Sequence, residues 1–177
     1  RRCLKFKLTY FISDSFSCRN EKGTHKALNR FRSFGYKVSK NNTKTCWILK
    51  CDIKKFFENI NHTILLNILK KYIHNKNIMW LFEKVIRSFS PKPDTGLPLG
   101  NLTSQLLVNI YMNKFDQFVK HKLKTKYYIR YVDDFVILSE DKGWLTSKIE
   151  PIKNFLSGKL KLELHKDKLF IKPYKAK

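Results

Sequence analysis

The sequence predicts an α+β fold, a split β-α-β-β-α-β sheet with helices on one face. Three observations carry that prediction. A nearly continuous apolar run spans residues 45–53. A long helical period begins at Leu102. Two β-rich runs, 127–130 and 135–139, flank Tyr131-Val132-Asp133-Asp134.

In chain order, residues 1–24 show no clear period. Residues 25–34 read as a helix ended by Gly35, and the Asn- and Lys-rich stretch 37–44 as a loop or hairpin tip. The run 45–53 suits a strand covered on both faces, ending at Asp52 and followed by a short helical turn over 54–61. Asn61 is a fair N-cap for a helix with Ile64, Leu65, Ile68, Leu69 and Tyr72 on one face, and a further helix covers 79–89. Pro91, Pro93, Gly96, Pro98 and Gly100 then interrupt regular structure. From Leu102 the period Leu102, Leu106, Leu107, Ile110, Tyr111, Phe115, Phe118 and Val119 defines a helix. Its opposite face carries Thr103, Asn109, Asn113, Asp116 and Gln117, and Asp116 reads as structural. The two β-rich runs form a hairpin with the Asp pair at or beside its tip. A helix over 143–156, weakened at Pro151, and short strands at 160–164 and 169–172 complete the order.

A length of 177 residues fits one domain with an apolar core, and 42% hydrophobic residues argue against a disordered tail. Charge is the outlier: 37 Lys and Arg against 14 Asp and Glu give a net +23. Such an imbalance repels itself on compaction and points to a polyanionic partner, nucleic acid before an anionic membrane surface. No apolar run approaches the ~20 residues needed to span a bilayer, so no membrane partner is expected. Cys3, Cys18, Cys46 and Cys51 form no CxxC pair, which suits reduced thiols and a cytoplasmic location. The chain starts at Arg1 inside a basic stretch, and both ends are expected to be cuts.

The chemistry rests on carboxylates. Asp133 and Asp134 alone suit a polar hairpin turn as well as a site. Asp52 stands where a buried strand meets the surface, and in an antiparallel sheet that end can lie beside the hairpin tip. Three converging carboxylates need compensating cations, and hard divalent ions with oxygen ligands, Mg²⁺ above all with Mn²⁺ as a substitute, meet that need. Two ions roughly 3.5–4 Å apart would activate a 3′-hydroxyl and hold a triphosphate.

Tyr131-Val132-Asp133-Asp134 resembles the Y-x-D-D box of reverse transcriptases. Asp52-Ile53 with Phe56, Phe57, Ile60 and His62 resembles their first carboxylate motif. The segment from Gly96 through Leu99, Gly100 and Asn101 to Gln105 resembles the template- and nucleotide-contacting segment between them. Ser17-Cys18-Arg19 with Lys22 to Ala27 is similar to a bacterial fingers motif. Residues 162–168 are similar to a late palm motif whose lysine, here Lys168, lies near the leaving pyrophosphate. The wording is most like enzymes of diversity-generating retroelements, group II introns and retrons. Leu99 stands where much of the family has Gln, which implies low fidelity.

The resemblance implies a polymerase palm plus partial fingers. Residues 1–44 would be partial fingers and 45–177 palm, with 75–100 a fingers-like segment and the thumb absent. The fragment alone is expected to be inactive. It further implies an RNA template, a DNA or RNA primer, deoxynucleoside triphosphates, and an element-encoded RNA or accessory protein as partners. Asp52 and Asp133 would bridge the metals with the Ile53 carbonyl as a backbone ligand, and Asp134 would be more peripheral. Phe57 would exclude a 2′-hydroxyl. Arg19 would reach the triphosphate, and Lys168 would protonate pyrophosphate. Leu99, Gly100, Ser104, Gln105 and Tyr131 would contact template or nucleotide. Tyr10, Tyr36 and Trp47 are candidates for base stacking, although core packing suits most of the aromatics better. Two alternatives stay open: a non-catalytic, maturase-like RNA-binding module and a two-metal nuclease.

Overall fold

A computed structural model describes residues 11–19 and 21–174. The candidate stacking residue Tyr10 and Cys3 lie outside the described residues. Among the described residues the order of five α-helices and four strands is α1 (Thr24–Val38), β1 (Trp47–Cys51), α2 (His62–Lys70), α3 (Lys76–Arg87), α4 (Leu102–Gln117), β2 (Tyr128–Tyr131), β3 (Asp134–Ser139), α5 (Lys142–Leu160) and β4 (Phe170–Pro173). A π-helical turn, Phe118–Lys122, extends α4, and short 3₁₀ turns occupy Phe57–Asn59 and Lys166–Lys168. The sheet order is β2-β3-β1-β4 and every pairing is antiparallel, which is the predicted split arrangement.

Alternation along the strands explains the layers. Leu49, Cys51, Tyr128, Phe135 and Ile137 share one face and join Tyr111 and Phe115 of α4 and Leu145, Ile152 and Leu156 of α5 in the main core. Phe115 is central, with its ring 5.0 Å from that of Phe135 and 6.3 Å from that of Tyr128. Ile48, Ile129, Val136 and Leu138 point the other way and meet Phe16, Phe34 and Val38 in a smaller cluster. The crossover helices therefore lie on one face as expected, while α1 covers part of the opposite face.

Two local expectations need correction. Gly35 does not end α1, which runs on to Val38. A Cβ at position 35 would sit 2.4 Å from the Tyr174 ring, so glycine serves a close approach there rather than a helix stop. The stretch 160–164 is not a strand. Leu160 ends α5, Lys161 turns the chain with φ 54°, and only Leu164 bridges to Ile53. On the polar side of α4, Asn109 and Asp116 are buried against β2. Elsewhere, Asn61 caps α2 through Ile64 N as expected, and α5 continues through Pro151, held by the buried Leu145, Ile152, Leu156 and Leu160.

Candidate active site

The site forms where β1 ends beside the β2–β3 hairpin. The β1–β3 register pairs Trp47 with Ser139 and Cys51 with Phe135. Asp52 follows Cys51 directly and Asp134 precedes Phe135, so the two carboxylates flank the last pair of the register. On the other side of the chain, His165 N donates to Asp52 O at 2.8 Å and Lys54 N donates to Glu163 O at 2.9 Å, around the Ile53–Leu164 bridge. In such a non-hydrogen-bonded pair the central residue turns its own N–H and C=O away from that partner. The Ile53 carbonyl thus points away from Leu164.

Val132 and Asp133 form the two-residue turn between β2 and β3. Val132 has φ 56°, an uncommon conformation for a β-branched residue. Its carbonyl accepts from Arg130 Nη1 at 2.9 Å. Arg130 is almost wholly buried and grips Asp116 of α4 with two bonds of 2.8 Å, from Nε to Oδ1 and from Nη2 to Oδ2. Burial opposes the guanidinium charge, but Asp116 more than offsets this, so the Arg130 pKa is raised. Tyr128 Oη also donates to Asp116 at 2.8 Å, and Arg130 Nη2 donates to Ser15 Oγ at 3.1 Å. Arg130, Asn109 and Ser15 lay outside the predicted site. The available signal was a charged residue on the inward-facing side of an apolar strand.

Asp52 is 7% exposed, and Lys168 Nζ donates to its Oδ2 at 3.0 Å. That bond, then the charges of Asp52, Asp134 and Asp133, raise the Lys168 pKa. Burial first, and then the charges of Asp52 and Asp134, raise the pKa of Asp133 against a lowering backbone hydrogen bond and Lys168. The carboxylates thus create a negative field in which an ammonium is already held as a cation. All-oxygen donors in a field of that sign fit hard divalent ions. Asp134 also faces Lys50 of β1, with Oδ1 and Nζ 3.4 Å apart. Among the described residues no group of three or more His, Cys, Asp or Glu is gathered closely enough to hold a metal. Asp52 and Asp133 are coupled through their charges, and Asp134 pairs with Lys50 beside them.

The middle segment docks onto the first motif. Leu97 N donates to Phe57 O and Gly96 N to Ile60 O, both at 2.9 Å, while His62 Nε2 bonds Gly96 O at 2.6 Å. Gly96 has φ 112°, and a Cβ there would meet Pro91 at 2.4 Å, so the tight docking requires glycine. Phe57 is half-buried, its ring 5.5 Å from that of Phe56. Leu99 and Gly100 are exposed, Ser104 is buried and Gln105 half-buried. The α4 cap is Asn101, through Thr103 N, rather than Ser104. Arg19 is tied down, with Nη1 donating to Ile12 O at 2.6 Å and Ser15 O at 2.9 Å. Tyr131 Oη lies 3.1 Å from Thr24 Oγ1 of α1. Among the stacking candidates, Trp47 packs on the core and Tyr36 is exposed.

A family model described as reverse transcriptase (RNA-dependent DNA polymerase) matches residues 3–176. Protein YkfC of Escherichia coli is 24% identical over 196 residues, covering 89% of this chain and 51% of that protein. The group II intron-encoded protein LtrA of Lactococcus lactis is 25% identical over 233 residues, covering 91% of this chain and 37% of that protein. The chain thus spans about half or less of the length of these relatives. Among solved structures, telomerase from Candida albicans in complex with the TWJ fragment of telomeric RNA superposes with a TM-score of 0.68 at 12% identity, over 93% of this chain and 32% of that one. Apo telomerase from Candida tropicalis truncated from its C-terminal domain gives 0.66 at 18% identity, over 93% and 37%. At those identities the likeness concerns the fold.

Proposed function

The chain belongs to the reverse transcriptase family, and on that premise we propose that it is the catalytic palm of a bacterial retroelement polymerase that copies RNA into DNA. The observation that carries this reading is the meeting of Asp52, Ile53 and Asp133 at one end of the sheet, although Asp52 and Asp133 come from motifs far apart in sequence. A purely RNA-binding module gains nothing from negative charge facing phosphates.

In this proposal Asp52, Asp133 and the Ile53 carbonyl hold magnesium. The bound ions would neutralise the triphosphate and activate the primer hydroxyl. The remaining work belongs to the chain. Lys168, held by Asp52, stands ready to give a proton to departing pyrophosphate. Phe57, fixed through its carbonyl to Leu97, packs beneath the sugar and disfavours a 2′-hydroxyl. Gly100 has φ 80° and open space where a Cβ would stand, so its backbone can approach template or nucleotide closely, with Gln105 beside it.

The test is Asp133→Asn in the full-length protein. Template–primer binding should survive or tighten slightly, because a negative charge near phosphates is removed. Nucleotide addition should fall by orders of magnitude, since each ~1.4 kcal/mol of lost transition-state stabilisation is tenfold. Near-normal addition would overturn the assignment of Asp133 to the metal site, whereas no addition by the unsubstituted full-length protein would make the maturase-like RNA-binding module the better account.

A further inference from the structure

At the end of the sheet away from the carboxylates lies a pocket of about 300 Å³ lined by Lys37, Lys40, Lys124 and Lys126 with Tyr127 and Trp144. Lys37 sits in the last turn of α1 and Lys40 just beyond it, while Lys124 and Lys126 come from the link between the π-helical turn and β2. All four are exposed, and none has an ion pair among the described residues. Glu140 is the one acid on the wall. A helix C-terminus attracts cations, which accounts for Lys37, but Lys126 stands at no helix end. The aromatic rings nearby carry ammonium groups on their faces. Lys126 lies 5.4 Å from the Tyr127 centroid, Lys148 4.8 Å from that of Trp144, and Lys142 5.0 Å from that of Trp47.

Ammonium groups that converge on a concavity and lack counter-ions repel one another unless an anion joins them. We propose that this pocket binds backbone phosphates of an RNA strand outside the catalytic cleft, as a second RNA contact. It is distinct from the catalytic site, because β3 runs from Asp134 at one end to Ser139 at the other, a separation of roughly 17 Å at ~3.3 Å per residue. A concave pocket with four converging ammonium groups suits the protruding phosphates of a strand better than a flat lipid surface. The choice of RNA as the polyanion rests on the polymerase reading; the anion site itself rests on the lysines.

The test uses the full-length protein carrying Lys37→Gln, Lys124→Gln and Lys126→Gln together, with the matching Lys→Arg protein as control. Binding of a fluorescently labelled structured RNA that lacks a primer is measured from about 50 to 200 mM salt. Each phosphate that the protein no longer neutralises should flatten the slope of log affinity against log salt by about 0.7 to 0.9, so the triple variant should lose roughly 2 to 3 in slope. The Arg control should keep the wild-type slope. Nucleotide addition to a short pre-annealed primer–template should be unchanged in both proteins. An unchanged slope in the Gln variant would overturn the proposal. So would loss of binding to phosphatidylserine vesicles with RNA binding intact, which would make the pocket a membrane contact. Nucleotide addition by the unsubstituted protein separates the two readings. If the unsubstituted full-length protein adds no nucleotide while the lysine variant still loses RNA affinity, the polymerase reading fails and the RNA contact stands.

Discussion

Replacing Arg130 by Lys keeps a positive charge beside Asp116 but removes the planar fork. The guanidinium makes two bonds of 2.8 Å to Asp116, one of 2.9 Å to Val132 O and one of 3.1 Å to Ser15 Oγ, in surroundings that leave Arg130 and Asp116 side chains 1% and 0% exposed. A lysine ammonium is a compact point charge that cannot span these partners. The bond most exposed to loss is the one to Val132 O, and a hydrogen bond from a charged donor is worth about 1.5–3 kcal/mol. That carbonyl belongs to the residue whose φ of 56° costs roughly 1–3 kcal/mol. The hold on the turn is therefore comparable to the strain in it, and losing the hold should let the turn relax. Asp133 is the next residue, and a displacement near 1 Å at a reacting centre can cost about 100-fold in rate. Arg130→Lys should thus destabilise the protein by roughly 2 kcal/mol in urea unfolding and lower kcat for single-nucleotide addition by roughly 10- to 100-fold, with nucleotide KM little changed. Asp116→Asn leaves a buried cation without its counter-charge and should cost more, about 3–5 kcal/mol, which is a large share of the ~5–15 kcal/mol that holds a domain folded. If Arg130→Lys lost its stability while kcat stayed at wild type, the pair would be a core fastening with no part in aiming Asp133. If Asp116→Asn cost under ~1 kcal/mol, the dry, two-bonded pair would itself be wrong.

Phe57→Ala should leave deoxynucleotide addition measurable while raising ribonucleotide incorporation at least tenfold, read by competing the two substrates on one template; unchanged discrimination would remove Phe57 as the sugar gate. Gly35→Ala should gain up to ~1 kcal/mol in helix propensity yet destabilise overall, because the added methyl meets the Tyr174 ring at 2.4 Å. In a Tyr174→Ala background the same change should stabilise, and equal effects in both backgrounds would show that the ring is not the obstacle. Burial pushes the Cys46 and Cys51 thiols up to about 11 and about 12, so both should resist alkylation at neutral pH until the protein unfolds, whereas exposed Cys18 reacts. Mass mapping of iodoacetamide adducts checks this, and prompt labelling of Cys51 in the folded protein would contradict its place in the core.

Much of the fold was legible because periodicity is a local property. The apolar run ending at Asp52, the hairpin around Asp133, the α4 period and the Asn61 cap each follow from neighbouring residues, and each stands in the structure where it was expected. The motif residues were legible for a similar reason, since their types and spacing lie in the chain itself. Gly35 was misread because a glycine in a helical pattern has two uses, ending a helix or admitting a neighbour, and the neighbour that decides, Tyr174, is remote in sequence. Residues 160–164 have the composition of a strand, but Leu160 and Leu162 are buried in the core, the first as the end of α5 and the second in the extended chain beyond it.

By itself, then, the sequence determined the order of elements, the carboxylates and the polyanion-seeking charge, because each is written in residue type and short-range pattern. Only the tertiary structure decided which partners those residues meet. It turned the polar side of α4 inward so that Asp116 could grip Arg130, and through Arg130 the turn that carries Asp133. It brought Lys168 to Asp52 and bridged Ile53 to Leu164. A polar residue on a helix looks the same in sequence whether water or a buried guanidinium satisfies it. The difference lies in desolvation and pairing across the core, which no local pattern encodes.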